Sequence, residues 1–223
     1  MMPKMAQGLS PASRQIMRLA EDERRRLRHP YLGDEHLLLG VLAHASNRAA
    51  MILNDRGLDL ATARACVARI VSESGSIAED DAVLLGRLGV DVAQMRRQLE
   101  STFGAAAVDE AAWQVRRRHW WRGRAQRSPI CGPPYLTKRA QFIACTLAGK
   151  RGEAEIRPEH LLYGVLRTAR NPLGSGLGRR GRREVARLGL RVGAPHPVRL
   201  LLAEQGIDQT QLGEDLLHSR GTT

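Results

Sequence analysis

The stretch Asp34-Glu35-His36-Leu37-Leu38-Leu39-Gly40-Val41-Leu42 returns later in the chain as Pro158-Glu159-His160-Leu161-Leu162-Tyr163-Gly164-Val165-Leu166. Seven of the nine positions are identical, which chance does not supply. The chain therefore contains a duplicated helical unit, and units of that kind bury their apolar faces by packing on one another. A second echo supports the first. Leu53-Asn54-Asp55-Arg56-Gly57-Leu58-Asp59 is followed by Leu85-Gly86-Arg87-Leu88-Gly89-Val90-Asp91 and by Leu202-Ala203-Glu204-Gln205-Gly206-Ile207-Asp208. In each, a short apolar helix stops at Gly, an aliphatic residue follows, and Asp caps the next helix.

Local signals place the helices around these echoes. Ser10-Pro11 reads as a cap followed by proline at the first helical position. Ile16, Leu19, Ala20, Glu23 and Leu27 then recur at helical spacing, and Pro30 with Gly33 ends the run. The helix opening at Asp34 is apolar on nearly every side, which predicts a central, buried position. Asn47 caps a third helix that Gly57 stops. Asp59 caps a fourth, with Ala63, Val67, Ile70 and Val71 facing inward. No alternating strand pattern stands out. The expected fold is all-α: two pseudo-repeated helical units at 9–104 and 136–218, the first enlarged by a helix pair at 80–104. Residues 105–135 read as a basic linker, ending in turn formers at Gly132-Pro133-Pro134. A Gly- and Arg-rich insertion at 171–196 reads as a loop with one short helix at 184–188.

Composition narrows the function classes. Of 223 residues, 43% are apolar and 4% aromatic, so the core is built from aliphatic side chains. The net charge of +12 comes almost wholly from arginine, the lysines being Lys4, Lys138 and Lys150. That bias fits genomic composition as well as an anionic partner, and it says nothing about fold. No stretch reaches the roughly 20 apolar residues of a membrane span, and no signal-peptide core follows Met1. Three cysteines without a C-x-x-C pair argue against a disulfide framework and for a cytoplasmic setting.

The signature His29-Pro30-Tyr31-Leu32-Gly33-Asp34-Glu35-His36-Leu37-Leu38-Leu39-Gly40-Val41 resembles that of the Clp N-terminal repeat domain. So do the start Leu9-Ser10-Pro11-Ala12-Ser13 and the Gly-aliphatic-Asp junctions. In the second unit the start is Leu136-Thr137-Lys138-Arg139-Ala140, and the signature is reduced to Arg157-Pro158-Glu159-His160-Leu161-Leu162. The resemblance implies an all-helical module that binds substrates and adaptors ahead of the ATPase rings of ClpC- and ClpA-type unfoldases. In phosphoarginine-reading members, it further implies that the signature Glu holds a guanidinium while a hydroxyl at the start of the first helix meets the phosphate. The matching residues are Ser10 with Glu35 and Thr137 with Glu159. Their separations are 25 and 22 residues, so the first pair is expected to carry such a ligand more than the second. The plainer role for both acids is to place negative charge at an exposed helix N-terminus.

Other constellations point to little chemistry. His36 and His160 are expected as packed, hydrogen-bonded residues, and no spacing of His, Cys or acid suggests a metal site. No nucleophile motif or metalloprotease motif occurs. Gly176-Leu177-Gly178-Arg179-Arg180-Gly181 fits G-x-G-x-x-G, but no strand precedes it. Arg116, Arg117, Arg118, Trp120, Trp121, Arg122 and Arg124 could neutralise phosphates and stack on bases. They support an alternative reading as a nucleic-acid-binding regulator, though the favoured reading is a solvated linker whose tryptophans fold back or meet a partner protein. Basic composition alone is a poor guide to specific recognition. The expected function is thus a non-enzymatic adaptor-like protein without cofactors, whose partners are Clp protease components, adaptors or client proteins. No G-x-x-x-x-G-K-[ST] loop occurs in the 223 residues, so calorimetry at micromolar protein should detect neither ATP binding nor hydrolysis. Stoichiometric nucleotide binding would contradict this reading.

Overall fold

The computed structural model describes residues 8–29, 31–74, 91–108, 110–111, 135–188 and 190–218. Two helix pairs form its frame. In the first, α1 (Pro11–Arg26) lies against α2 (Asp34–Ala43); in the second, α6 (Tyr135–Lys150) lies against α7 (Pro158–Ala169). The Ser13 backbone N–H donates to Ser10 Oγ at 3.2 Å, and Pro11 occupies the first turn. Arg28, with φ of 54°, closes that end of the chain turn in the left-handed region. The Ala50 N–H donates to Asn47 Oδ1 at 2.9 Å, starting α3 (Arg48–Asn54). Asn47 Nδ2 in turn donates to the Val41 carbonyl at 2.8 Å, tying α3 to the end of α2. Asp59 accepts from the Thr62 N–H at 2.8 Å ahead of α4 (Leu60–Ser74).

The apolar character of the duplicated helices dictates their place. Every α2 residue from Asp34 to Leu42 is buried, and α7 buries Leu161, Leu162, Val165 and Leu166. The two helices pack on each other. A single apolar cluster runs from Ile16 and Leu37 through Ala140 and Val165 to Leu201 and Leu212, so both units share one core. Around it, α9 (Pro197–Glu204) packs on α4, and α10 (Gln209–His218) packs on α7. Ion pairs Arg56–Asp215 and Arg69–Glu204 join the units at the rim. Within the first unit, Arg64 Nε donates to the buried Glu23 carboxylate at 2.7 Å, linking α4 to α1.

Two expectations need correction. A parallel pair of two-residue strands, β1 (Gly8–Leu9) just before α1 and β2 (Glu155–Ile156) between α6 and α7, links the two units. Strands this short carry no alternation for a sequence pattern to reveal. The insertion is also more than a loop. It carries α8 (Arg179–Arg187), and Leu173, Val185, Leu188 and Leu190 form a second apolar cluster with Tyr31 and Leu136. Its Gly and Arg content masked four aliphatic residues whose partners are remote in sequence. Of the helix pair at 80–104, only the second member, α5 (Val92–Phe103), lies among the described residues. Asp91 caps it as the junction echo implies, accepting from the Gln94 N–H at 2.9 Å. It is not part of the shared core, however: residues 93–99 are exposed.

The repeated glycines mark where helices touch. A Cβ on Gly40 would lie 2.6 Å from the Ile16 carbonyl oxygen of α1. One on Gly164 would lie 2.1 Å from the Ala140 carbonyl oxygen of α6. Each glycine lets its helix approach a neighbouring backbone, and alanine forces the pair apart. Overpacking of this kind costs about 1–3 kcal/mol or more, equivalent to roughly 2–12 °C in Tm for a chain of this size. We expect Gly40→Ala and Gly164→Ala to lose that much, with Gly164→Ala the worse. Gly213→Ala in α10, where nothing lies within 4 Å of the added atom, should instead gain up to about 1 kcal/mol from helix propensity. Thermal melts of the three variants check the contrast.

Candidate functional site

The start of α2 gathers a buried polar cluster. Gly33 is extended (φ −107°), and its N–H donates to His36 Nδ1 at 2.9 Å. His36 thus plays at the third helical position the part that Glu or Gln plays in a capping box. Because Nδ1 accepts, the ring proton sits on Nε2, which donates to His29 Nδ1 at 2.8 Å. Arg24 Nη1 fixes this segment by donating to the His29 carbonyl at 2.7 Å. Burial first, then the neighbouring His29 and Arg24 charges, hold His36 well below the ordinary imidazole range. The second unit repeats the device: the Arg157 N–H donates to His160 Nδ1 at 3.1 Å.

Glu35 is 2% exposed, which corrects its expected role as an exposed helix-terminal acid. Its carboxylate folds back over Gly33, where a Cβ would lie 2.3 Å from both oxygens. Oε1 lies 3.2 Å from His36 Nδ1, but that nitrogen is already an acceptor, so no hydrogen bond joins them. Burial pushes the carboxyl up to about 7, against the opposing pull of its own backbone N–H and of His196. Asp34, 1% exposed, is also raised by burial, although His196 Nε2 stands 3.4 Å from Oδ2. His196 comes from the insertion and accepts the Val198 N–H at Nδ1, which leaves its Nε2 proton facing Asp34. Both Asp34 oxygens, Glu35 Oε1 and the Tyr31 hydroxyl are buried without a hydrogen-bond partner. A buried polar atom left without a partner costs about 1–3 kcal/mol, and burial accordingly disfavours the charged form of both acids.

The four residues matched from the family signature occupy unequal positions. Ser10 is buried and donates to Ser13 Oγ at 3.0 Å, Thr137 is 1% exposed, and Glu159 is half-buried with Oε2 unpartnered. Glu159 is thus less buried than Glu35, although its Oε2 is covered and Thr137 beside it in the signature match is buried. The residues Arg116, Arg117, Arg118, Trp120, Trp121, Arg122 and Arg124 lie outside the described residues. Sequence reasoning passed over His29, Tyr31 and His196. The first two stand in the quoted signature, and His196-Pro197 repeats the cap-then-proline signal of Ser10-Pro11. Ligand atoms of His29, Glu35 and His36 lie within 4.8 Å of one another, an arrangement that could hold a metal ion. Both ring nitrogens of His36 are already committed to hydrogen bonds, so the cluster fits a polar cap better than a metal centre.

Residues 8–82 match the model of the Clp repeat N-terminal domain. This stretch is a Clp N-terminal repeat. It contains the capped α1, the buried α2 and the polar cluster between them. Three relatives carry similar sequence. The chain is 29% identical over 140 residues to the ATP-dependent Clp protease ATP-binding subunit ClpA homolog of Cyanidium caldarium, covering 59% of this chain and 16% of that protein. It is 40% identical over 65 residues to the chloroplastic chaperone protein ClpC of Pisum sativum, covering 29% and 7%. It is 34% identical over 74 residues to the chaperone protein ClpB of Oceanobacillus iheyensis, covering 33% and 9%. The chain thus spans less than a fifth of these relatives' lengths. Among solved structures, it is similar to the N-terminal domain of the ClpD chaperone of Arabidopsis thaliana, with a TM-score of 0.48 and 14% identity, covering 94% of this chain and 92% of that one. No helix among the described residues is long and apolar enough to cross a membrane.

Within the Clp repeat, the buried Glu35 makes stability depend on pH. Its carboxyl is raised in the folded chain, so the native state keeps a proton that the unfolded state releases above about pH 4.5. Stability is then lost as pH rises through that window and levels off above pH 7. Glu35→Gln removes this loss without changing shape. The variant should gain on wild type between pH 5 and pH 8, by on the order of 3 kcal/mol at the upper end. Urea unfolding of both proteins at several pH values checks it, and a gap independent of pH would contradict it.

Proposed function

We propose that the chain is a non-enzymatic binding component of a Clp-type proteolytic system, taking up client proteins, degradation tags or adaptors. It either delivers them to an unfoldase or withholds them. The observation that carries the reading is the Clp repeat itself, matched over residues 8–82 and built around a buried signature helix. No P-loop motif accompanies it within the 223 residues. Exposed apolar side chains add support. Met95, Leu99 and Phe103 recur at four-residue spacing on α5 and are 45%, 41% and 65% exposed, the pattern of a helix face that meets protein.

Within this proposal, Ser10, Glu35, Thr137 and Glu159 remain the residues for a phosphoarginine-like group. Glu159 is the less buried of the two acids, and a ligand for Glu35 needs the residues covering it to move. The test is capture from a soluble lysate of the source cells on the immobilised full chain, with partners identified by mass. A Clp-type unfoldase or its clients should be enriched. Salt-sensitive recovery of nucleic acid with no Clp component would overturn the reading in favour of the nucleic-acid alternative.

A further inference from the structure

Between α6 and the turn at 172–177 lies a cavity of about 400 Å³. Its floor includes Leu136, Leu173 and His196, which are 8%, 6% and 5% exposed. Its rim includes Lys138, Arg139 and Phe142, all exposed, Phe142 by 64%. The turn holds its shape through Gly174 and Gly176, with φ of 76° and 78°, and through Arg139 Nη1, which donates to the Ser175 carbonyl at 3.0 Å. That bond uses a single donor of the Arg139 guanidinium. The acid beneath the floor, Asp34, already faces His196. The result is a floor of two leucines and one imidazole, with two cations and an aromatic ring at its mouth. The insertion supplies one wall, so this cavity depends on a segment that interrupts the duplicated unit.

We propose that this cavity binds the free C-terminal end of a client polypeptide. The terminal carboxylate meets Lys138 and Arg139, and the last apolar side chain rests on Leu136 and Leu173 with Phe142 over it. Charge complementarity selects the occupant: two adjacent cations beside the two leucines suit an apolar residue that carries its own carboxylate. Size agrees. Ligand cavities run from roughly 300 to 1,000 Å³, and one at the small end takes a chain terminus rather than a folded surface. The inference rests on the client-binding reading above and names the part of the client that is recognised.

The test uses the full chain and a fluorescein-labelled ten-residue peptide ending in Val-Leu, as the free acid and as the C-terminal amide. Anisotropy titrations should show the acid binding and the amide at least about 10-fold weaker, as expected for loss of a charge-assisted contact. Lys138→Glu and Phe142→Ser should each weaken the acid by a similar factor. Both side chains are exposed, so unchanged melting curves verify that the fold is intact. Equal binding of acid and amide, no binding of either at millimolar peptide, or no effect of Lys138→Glu would each overturn the inference. Lysate capture separates the two claims. Clp components retained equally by wild type and Lys138→Glu would overturn this cavity's role while leaving the broader reading standing; loss of those components from wild type would remove both.

Discussion

The architecture depends on helices that have almost no polar face. Helix α2 buries every residue from Asp34 to Leu42, so it must be enclosed by neighbours on all sides. The first unit supplies α1, α3 and α4, and the second supplies α6, α7 and α9. Neither unit offers enough cover alone, and the duplication answers that need by placing a second apolar helix, α7, against the first. Gly40 and Gly164 make the fit close enough for native packing, because a side chain at either would collide with a neighbouring backbone.

Enclosing α2 so completely has a consequence at its first turn. A helix start presents unpaired N–H groups and attracts acids and caps. Here Asp34, Glu35 and His36 serve that start while buried under Tyr31 and the insertion. The His36 ring satisfies the Gly33 N–H, but the acids find too few donors. A surface-type device, once buried, becomes a cluster of weakened acids and orphaned oxygens. That tension sits in the part of the chain that matches the Clp repeat.

Much of this was legible in the residues. The duplicated nine-residue stretch identified the central helices, and Ser10, Asn47, Asp59 and Asp91 marked helix starts that the structure confirms. The burial of Glu35 was not legible, because a carboxylate at a helix start is usually solvated and nothing adjacent in sequence hides it. Nor was the role of the insertion. Leu173, Val185, Leu188 and Leu190 acquire meaning only when Tyr31 and Leu136, far away in sequence, come to meet them.

The sequence by itself determined where helices begin, which of them are apolar all round, and that one unit is a copy of the other. These properties are local, fixed by backbone capping, side-chain periodicity and repetition. Only the tertiary structure decided that the two copies share a single core, that α5 lies outside it, and that the insertion covers the start of α2. It also decided the raised pKa of Glu35 and the placing of Lys138, Arg139 and Phe142 around one cavity. These depend on which distant surfaces meet, and the free energy of burying a group is set by everything around it rather than by its neighbours in the chain.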